Sequence, residues 1–360
     1  EQPVEGTLLR VPNVAGESYF DLVAGREAGR IEGSAMVLAG RMEPGGIGAF
    51  LAGTPESLGT DFITYLGDQA AIHRSAARNA AWPDVQEELR PVERTRKYRA
   101  DEVPEGMVVI PAADLRMKTQ YRNRECGFYD VPGRKPAADP SRGLHQTVSF
   151  ERGVRLTPYA IDVTPVTNAR YAEFLRQTGY RPANPENFLK HWRDGRVPPG
   201  QEDHPVVYVD LEDARAYARW AGKRLATEEE WQYAAQGADG RAYPWGNAWA
   251  DGRCNDGRTG GTTAVTAYPE GRSPFGCYDM CGNTWGWTES ERSDGRTRFC
   301  ILKGGSYYKA QGSDWYADGG SQRCDFAAKF LLMWPSLDRC ATIGFRCAVD
   351  LAAPDAKNAP

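Results

Sequence analysis

Three capped helical stretches run through residues 167–237, and after Gly237 the helical signal stops. In "TNARYAEFLRQTG", Thr167 is placed to cap the start, Tyr171, Phe174 and Leu175 share a face, and Gly179 ends the run. In "DLEDARAYARWAG", Asp210 caps, and Ala214, Tyr217, Ala218 and Ala221 fit the i, i+3, i+4, i+7 pattern of a buried stripe. In "TEEEWQYAAQG", Thr227 and Glu230 make a capping box and Gly237 is the stop. Beyond Gly237 the chain is rich in Gly, Trp and Cys, with short strand-like runs between turns. Helices first and irregular β structure afterwards predict an α+β domain with few helices and much loop.

Upstream the texture is different. Residues 1–55 read as short strands punctuated by Gly and Pro, with a turn at Pro44-Gly45-Gly46. Residues 60–75 and 84–89 read as helical. Residues 1–90 are therefore expected to be a β-rich accessory segment with one or two helices. Next come a charged, Pro-bounded linker at 91–102, expected to lie over a surface, a main domain at 103–352 and a flexible tail at 353–360. So small a β-rich piece is expected to lean on a neighbouring catalytic domain or partner chain.

Charge and composition exclude some functions. The net charge is −4, which gives no electrostatic footprint for nucleic acid. No run approaches the roughly 18 apolar residues of a membrane span. The chain opens Glu-Gln-Pro without Met, which fits a processed secreted protein, extracellular or periplasmic and of bacterial type, or a fragment. The eight cysteines permit an oxidised framework but do not define its pairing. Cys277 and Cys281 are the one close pair. Zinc is disfavoured because it wants four convergent ligands.

Five motifs carry a resemblance. "DHPVVYVDLEDARAYARWAGKRLATEEEWQYAAQG", "YPWGN", "FGCYDMCGNTWGWTES", "LKGGSY" and "IGFRCAVD" resemble the formylglycine-generating enzyme, or sulfatase-modifying factor, superfamily in order and spacing, from about Val103 to Asp350. The resemblance implies an elaborated C-type-lectin-like fold. It also implies a copper-binding Cys pair just after "GGSY" that oxidises a substrate cysteine. The matching segment, Tyr308–Asp314, has a cysteine at neither position, and a lysine ammonium cannot replace a thiolate as a soft ligand. Neither copper nor iron is therefore expected. A sister branch binds iron through a close His pair, whereas the histidines here are His73, His145, His191 and His204, none closer than thirteen residues to another. His204 is expected to pack or hydrogen-bond.

Other departures bear on metal and disulfides. Gly286 stands where the resemblance implies a calcium-ligating Glu. Asn255, Asp256 and Asn283 remain as oxygen donors, so calcium is the expected cofactor if there is one. Ala218 and Ala235 replace two cysteines that the resemblance pairs with Cys347 and Cys324. Rewired disulfides Cys277–Cys281 or Cys324–Cys340 are the candidates.

The stretch "GGSYYKAQGSDWYADGG" at 304–320 keeps its interest without the copper chemistry. Free-turning glycines, flat rings and fixed charges are the composition of a binding loop. Tyr307, Tyr308, Lys309, Trp315, Tyr316, Arg323 and Asp325 are the candidate contacts for a glycan or peptide. The alternative is a carbohydrate-active hydrolase or lyase, with Asp314 and Asp318 as acid and base. Trp231, Trp245, Trp285 and Trp287 are expected to be core.

Overall fold

The structure is a computed structural model that describes residues 4–42, 46–78, 88–122, 147–293, 297–309, 319–333 and 335–352. The chain divides into two compact units, 1–85 and 86–360.

The first unit holds strands β1 (Val4–Pro12), β2 (Ser18–Asp21), β3 (Arg26–Glu27), β4 (Arg30–Glu32), β5 (Ala35–Met42) and β6 (Phe50–Gly53), then helix α1 (Pro55–Arg78). Two antiparallel three-stranded sheets form, ordered β1-β5-β4 and β3-β2-β6. A small core of Tyr19, Met36 and Leu38, with Val11 and Phe50 against it, sits among these strands. The helix expected at 60–75 lies inside α1, which starts earlier and kinks at Gly59 (φ 72°). The turn expected at 44–46 falls largely outside the described residues.

The first described element of the second unit is strand β7 (Glu88–Leu89); most of the helix expected over 84–89 lies outside the described residues. Next in order are β8 (Met107–Ile110), β9 (Ala113–Arg122), β10 (Thr147–Leu156), β11 (Tyr159–Asp162), α2 (Asn168–Thr178), α3 (Leu211–Trp220), β12 (Arg224–Leu225) and α4 (Glu228–Gln236). Last come β13 (Trp285–Ser293), β14 (Arg298–Lys303), β15 (Ala327–Leu332), α5 (Pro335–Asp338), β16 (Ile343–Phe345) and β17 (Cys347–Asp350). One sheet runs β12-β17-β11-β8. A second runs β15-β14-β13-β16, with β7 also on β13. The pair β9–β10 forms a separate ribbon. This is an α+β fold with few helices and long loops.

The three sequence-read helices start and stop as their caps dictate. Thr167 accepts from Arg170 N at 3.3 Å, and Gly179 takes φ 63° at the other end of α2. Asp210 and Asp213 form a reciprocal capping box on α3, as do Thr227 and Glu230 on α4. The inner faces of α2 and α3 meet a core built on Tyr171, Phe174, Tyr217, Trp287 and Phe345. Trp231 and Trp287 are fully buried, as expected.

The domain boundary and the expected disulfides come out differently. Residues 91–102 are strapped to the second unit, and the boundary falls earlier, at 85/86. Tyr98 is buried there; its N–H donates to Asp350 O at 2.9 Å and its hydroxyl to Gly222 O at 3.2 Å. The seven described cysteines are all free thiols, so neither Cys277–Cys281 nor Cys324–Cys340 is a disulfide here. Cys324 and Cys340 belong to different core clusters, and the Cys340 thiol lies 3.2 Å from the Thr342 hydroxyl.

Candidate functional site

β14 delivers the chain into Gly304 and Gly305, where only glycine fits. Both take positive φ, and a Cβ on Gly305 would stand 2.2 Å from Gly320 O. That close approach zips two limbs together. Ser306 N donates to Gly320 O (3.0 Å), Gly320 N to Tyr308 O (2.6 Å) and Gln322 N to Gly304 O (3.1 Å). Asp314, Trp315, Tyr316 and Asp318 lie outside the described residues, between these limbs.

The limbs carry the other candidates. Tyr307 is half-buried and its N–H donates to Asn283 O at 3.0 Å. Burial, with lesser contributions from Tyr208 and Cys340, raises its phenol pKa. Tyr308 is 59% exposed and Lys309 is exposed, so both are free to meet a ligand. Arg323 and Asp325 are brought together as a two-point pair at 2.9 and 3.0 Å. Asp325 is buried, so its carboxylate serves this pair, while the Arg323 side chain is 40% exposed.

The expected calcium donors form a hydrogen-bonded nest behind Tyr307. Asn255 Nδ2 donates to Asn283 Oδ1 (3.2 Å) and Gly261 O (2.8 Å). Asn283 Oδ1 also accepts from Thr263 N (3.0 Å), and Asn283 Nδ2 donates to Asp279 at 2.7 Å. Asn255 Oδ1 accepts from the Thr259 hydroxyl (2.9 Å), and Asp256 is clasped by Arg258. Each of these oxygens is already engaged by a donor of the chain, so they would ligate a hard cation only by exchanging those hydrogen bonds for it. No group of three or more His, Cys, Asp or Glu suited to a metal occurs among the described residues. Desolvation pushes Asp279 up to about 7, against the pull of Asn283 and Arg346.

The nearby histidines and thiols are tied into the structure. His191 Nε2 lies 3.1 Å from Asn168 Oδ1 and its ring stacks on Tyr208; burial lowers its pKa to about 4. His204 bonds Thr262, in line with the expected packing role. The Cys254 thiol is hydrogen-bonded to Cys281, which lowers its pKa despite burial.

A cleft of about 330 Å³ between residues 90–98 and the end of α3 is rich in arginine. Its floor is already committed: Arg215 grips Glu289 and Glu291, and Arg224 grips Glu230 and Asp350. The structure also holds a surface group that the sequence did not reveal. Trp245, expected in the core, is only half-buried and stacks on Tyr243, with Trp249 set edge-on to both. The Tyr-Pro-Trp-Gly turn was the available signal, but a Trp in a motif does not reveal which of its faces is open.

The sulfatase-modifying factor enzyme 1-like domain matches residues 93–351, most of the chain. The chain belongs to this family. The inactive C-alpha-formylglycine-generating enzyme 2 of Bos taurus is 32% identical over 254 residues, a match covering 56% of this chain and 81% of the relative. The formylglycine-generating enzyme of Mycobacterium tuberculosis is 35% identical over 198 residues, covering 38% of this chain and 65% of the relative. Among solved structures, PvdO from Pseudomonas aeruginosa is 23% identical with a TM-score of 0.45, covering 72% of this chain and all of that one.

Proposed function

We propose that this protein is a non-oxidase member of the sulfatase-modifying factor family, which binds a glycan or peptide on the surface around the 304–309 and 319–325 limbs. The observation that carries this reading is the segment Tyr308–Asp314, which has no cysteine where the family resemblance implies the copper-binding pair. Relatives from Bos taurus and Mus musculus bear names that call them inactive, which fits a branch that kept the scaffold without the oxidation. The exposed Tyr308 and Lys309 and the partly exposed Arg323 supply the stacking and hydrogen-bonding groups such a surface needs. Incubation of the copper-loaded protein with a cysteine-containing sulfatase-type peptide is expected to leave the cysteine intact by mass spectrometry. Formylglycine in the product would overturn the reading.

Calcium enters the same proposal in a limited way. At Asn255, Asp256 and Asn283 calcium would be preferred to any transition metal, because the donors are hard oxygens, and it would have to turn the two carboxamides out of their hydrogen bonds. The expected result is a calcium-dependent rise in Tm reversed by chelator. Stoichiometric zinc or iron in elemental analysis, with no response to calcium, would count against it.

A further inference from the structure

We propose that Tyr243, Trp245 and Trp249 form a stacking platform for a neutral pyranose of an oligosaccharide; this deepens the glycan-binding reading and rests on it. The platform is built by a tight turn. Tyr243 N donates to Gly246 O at 2.8 Å, Gly246 N returns to Tyr243 O at 3.0 Å, and Asn247 Oδ1 accepts from Ala242 N at 3.0 Å. The rings of Tyr243 and Trp245 lie parallel within 7°, centroids 5.4 Å apart. Trp249 stands edge-on to them at 5.5 and 5.8 Å.

The indole N–H groups are used to hold the rings still. Trp245 donates to Ala248 O at 3.1 Å and Trp249 to Asp251 at 2.8 Å. Yet Trp249 is 42% exposed, unlike the core Trp231 and Trp287. A fixed, exposed indole gains little for folding, while it removes the ordering cost from binding. Flat rings match the C–H face of a pyranose, whose hydroxyls then need polar groups at the rim.

That rim is present, and its carboxylates outnumber its guanidiniums by one. Arg258 lies 3.5 Å from Asp251 and clasps Asp256 at 2.6 Å. Arg323 is paired with Asp325, and the hydrogen bond from Cys324 N to Ala242 O at 2.8 Å sets that segment beside the turn. Arg323 has one carboxylate and Arg258 two, so the rim offers hydrogen bonds with no spare positive charge. That favours a neutral sugar over a phosphate or a uronate. The rim also leads to the loop: a Cβ on Gly257 would stand 2.2 Å from Tyr307 O, so the Asp256–Gly257 turn abuts the Tyr307 limb. An oligosaccharide of several units could reach from Trp249 toward Tyr308.

The test uses the full chain with cellohexaose, chitohexaose and mannohexaose as neutral probes, hexagalacturonate as an acidic one and a proline-rich decapeptide as a competitor class. Binding is read by calorimetry and tryptophan fluorescence. At least one neutral hexasaccharide is expected to bind and to quench fluorescence, and Trp249→Ala to weaken it about tenfold with Tm unchanged. Trp249→Phe should recover part of the loss. If Tyr308→Ala removes binding and Trp249→Ala does not, the platform is wrong while the loop reading stands. If Trp249→Ala removes it and Tyr308→Ala does not, the platform stands and the loop reading falls. Binding only by hexagalacturonate or by the decapeptide, or no binding by any probe at millimolar concentration, overturns the platform.

Discussion

Arg224→Ala is expected to lower the unfolding free energy by about 3–5 kcal/mol, the loss typical of breaking a buried ion pair. The guanidinium is buried and spends its donors on three partners. It reaches both oxygens of Glu230 at 2.7 Å, Asp350 at 2.8 Å and Leu225 O at 3.0 Å. Glu230 is also the return half of the α4 capping box. Asp350, in β17, additionally receives Thr95 N at 2.9 Å and Arg94 at 3.0 Å. One cation therefore ties together a helix start, the last strand and the 91–102 strap. Truncation leaves two carboxylates without their main partner in a poorly solvated site. Arg224→Lys should recover little, since an ammonium cannot make two parallel bonds to Glu230 while also reaching Asp350. The control is Arg176→Ala, whose exposed pair with Glu173 at i, i+3 is worth only a few tenths of a kcal/mol. Urea unfolding of the three variants checks this. A loss below about 1 kcal/mol for Arg224→Ala would mean that the network is dispensable.

That network shows what could be read from the sequence and what could not. Helices α2, α3 and α4 were legible because their caps are local: Thr167, Asp210 and Thr227 act within three residues of themselves. The α+β class came from the same signals. The buried ion pairs were not legible, because Arg224 meets Asp350, Arg339 meets Asp213 and Arg215 meets Glu289 across long separations in the chain. The strap reads in sequence as a linker laid over a surface, but its partners were hidden for the same reason: its charges look solvated until Asp350 is known to receive them. The cysteines looked like an oxidised framework by count, but a disulfide depends on geometry that count does not carry. At the candidate site, composition located the loop and its glycines. It could not show that Asp325 is consumed by Arg323, nor that Asn255 and Asn283 satisfy each other.

Lys303 gives the second large effect. It is the last residue of β14, immediately before Gly304 and Gly305, and it is fully buried. Its Nζ donates to Gln232 Oε1 at 2.9 Å and lies 5.9 Å from the Trp231 ring centroid. Burial lowers its pKa to about 8; Glu228, Asp325 and Cys324 act to raise it, and Arg152 to lower it. In the unfolded chain a lysine titrates near about 10.4. Between these values the unfolded state holds a proton that the folded state has released, so this residue makes stability rise with pH. Its unfavourable charge is fully present below about pH 8 and is shed by the folded chain above it. The contribution from about pH 7.5 to 9.5 is about 2 kcal/mol. Buried thiols such as Cys300 and Cys324, pushed up to about 12, work in the opposite direction, because their unfolded forms ionise first. The wild-type profile alone therefore does not isolate the lysine, but its difference from Lys303→Met does. Urea unfolding at the two pH values should show wild type gaining about 2 kcal/mol relative to that variant. Equal pH dependence in both proteins would mean that Lys303 keeps an ordinary pKa and that water reaches it beneath the loop.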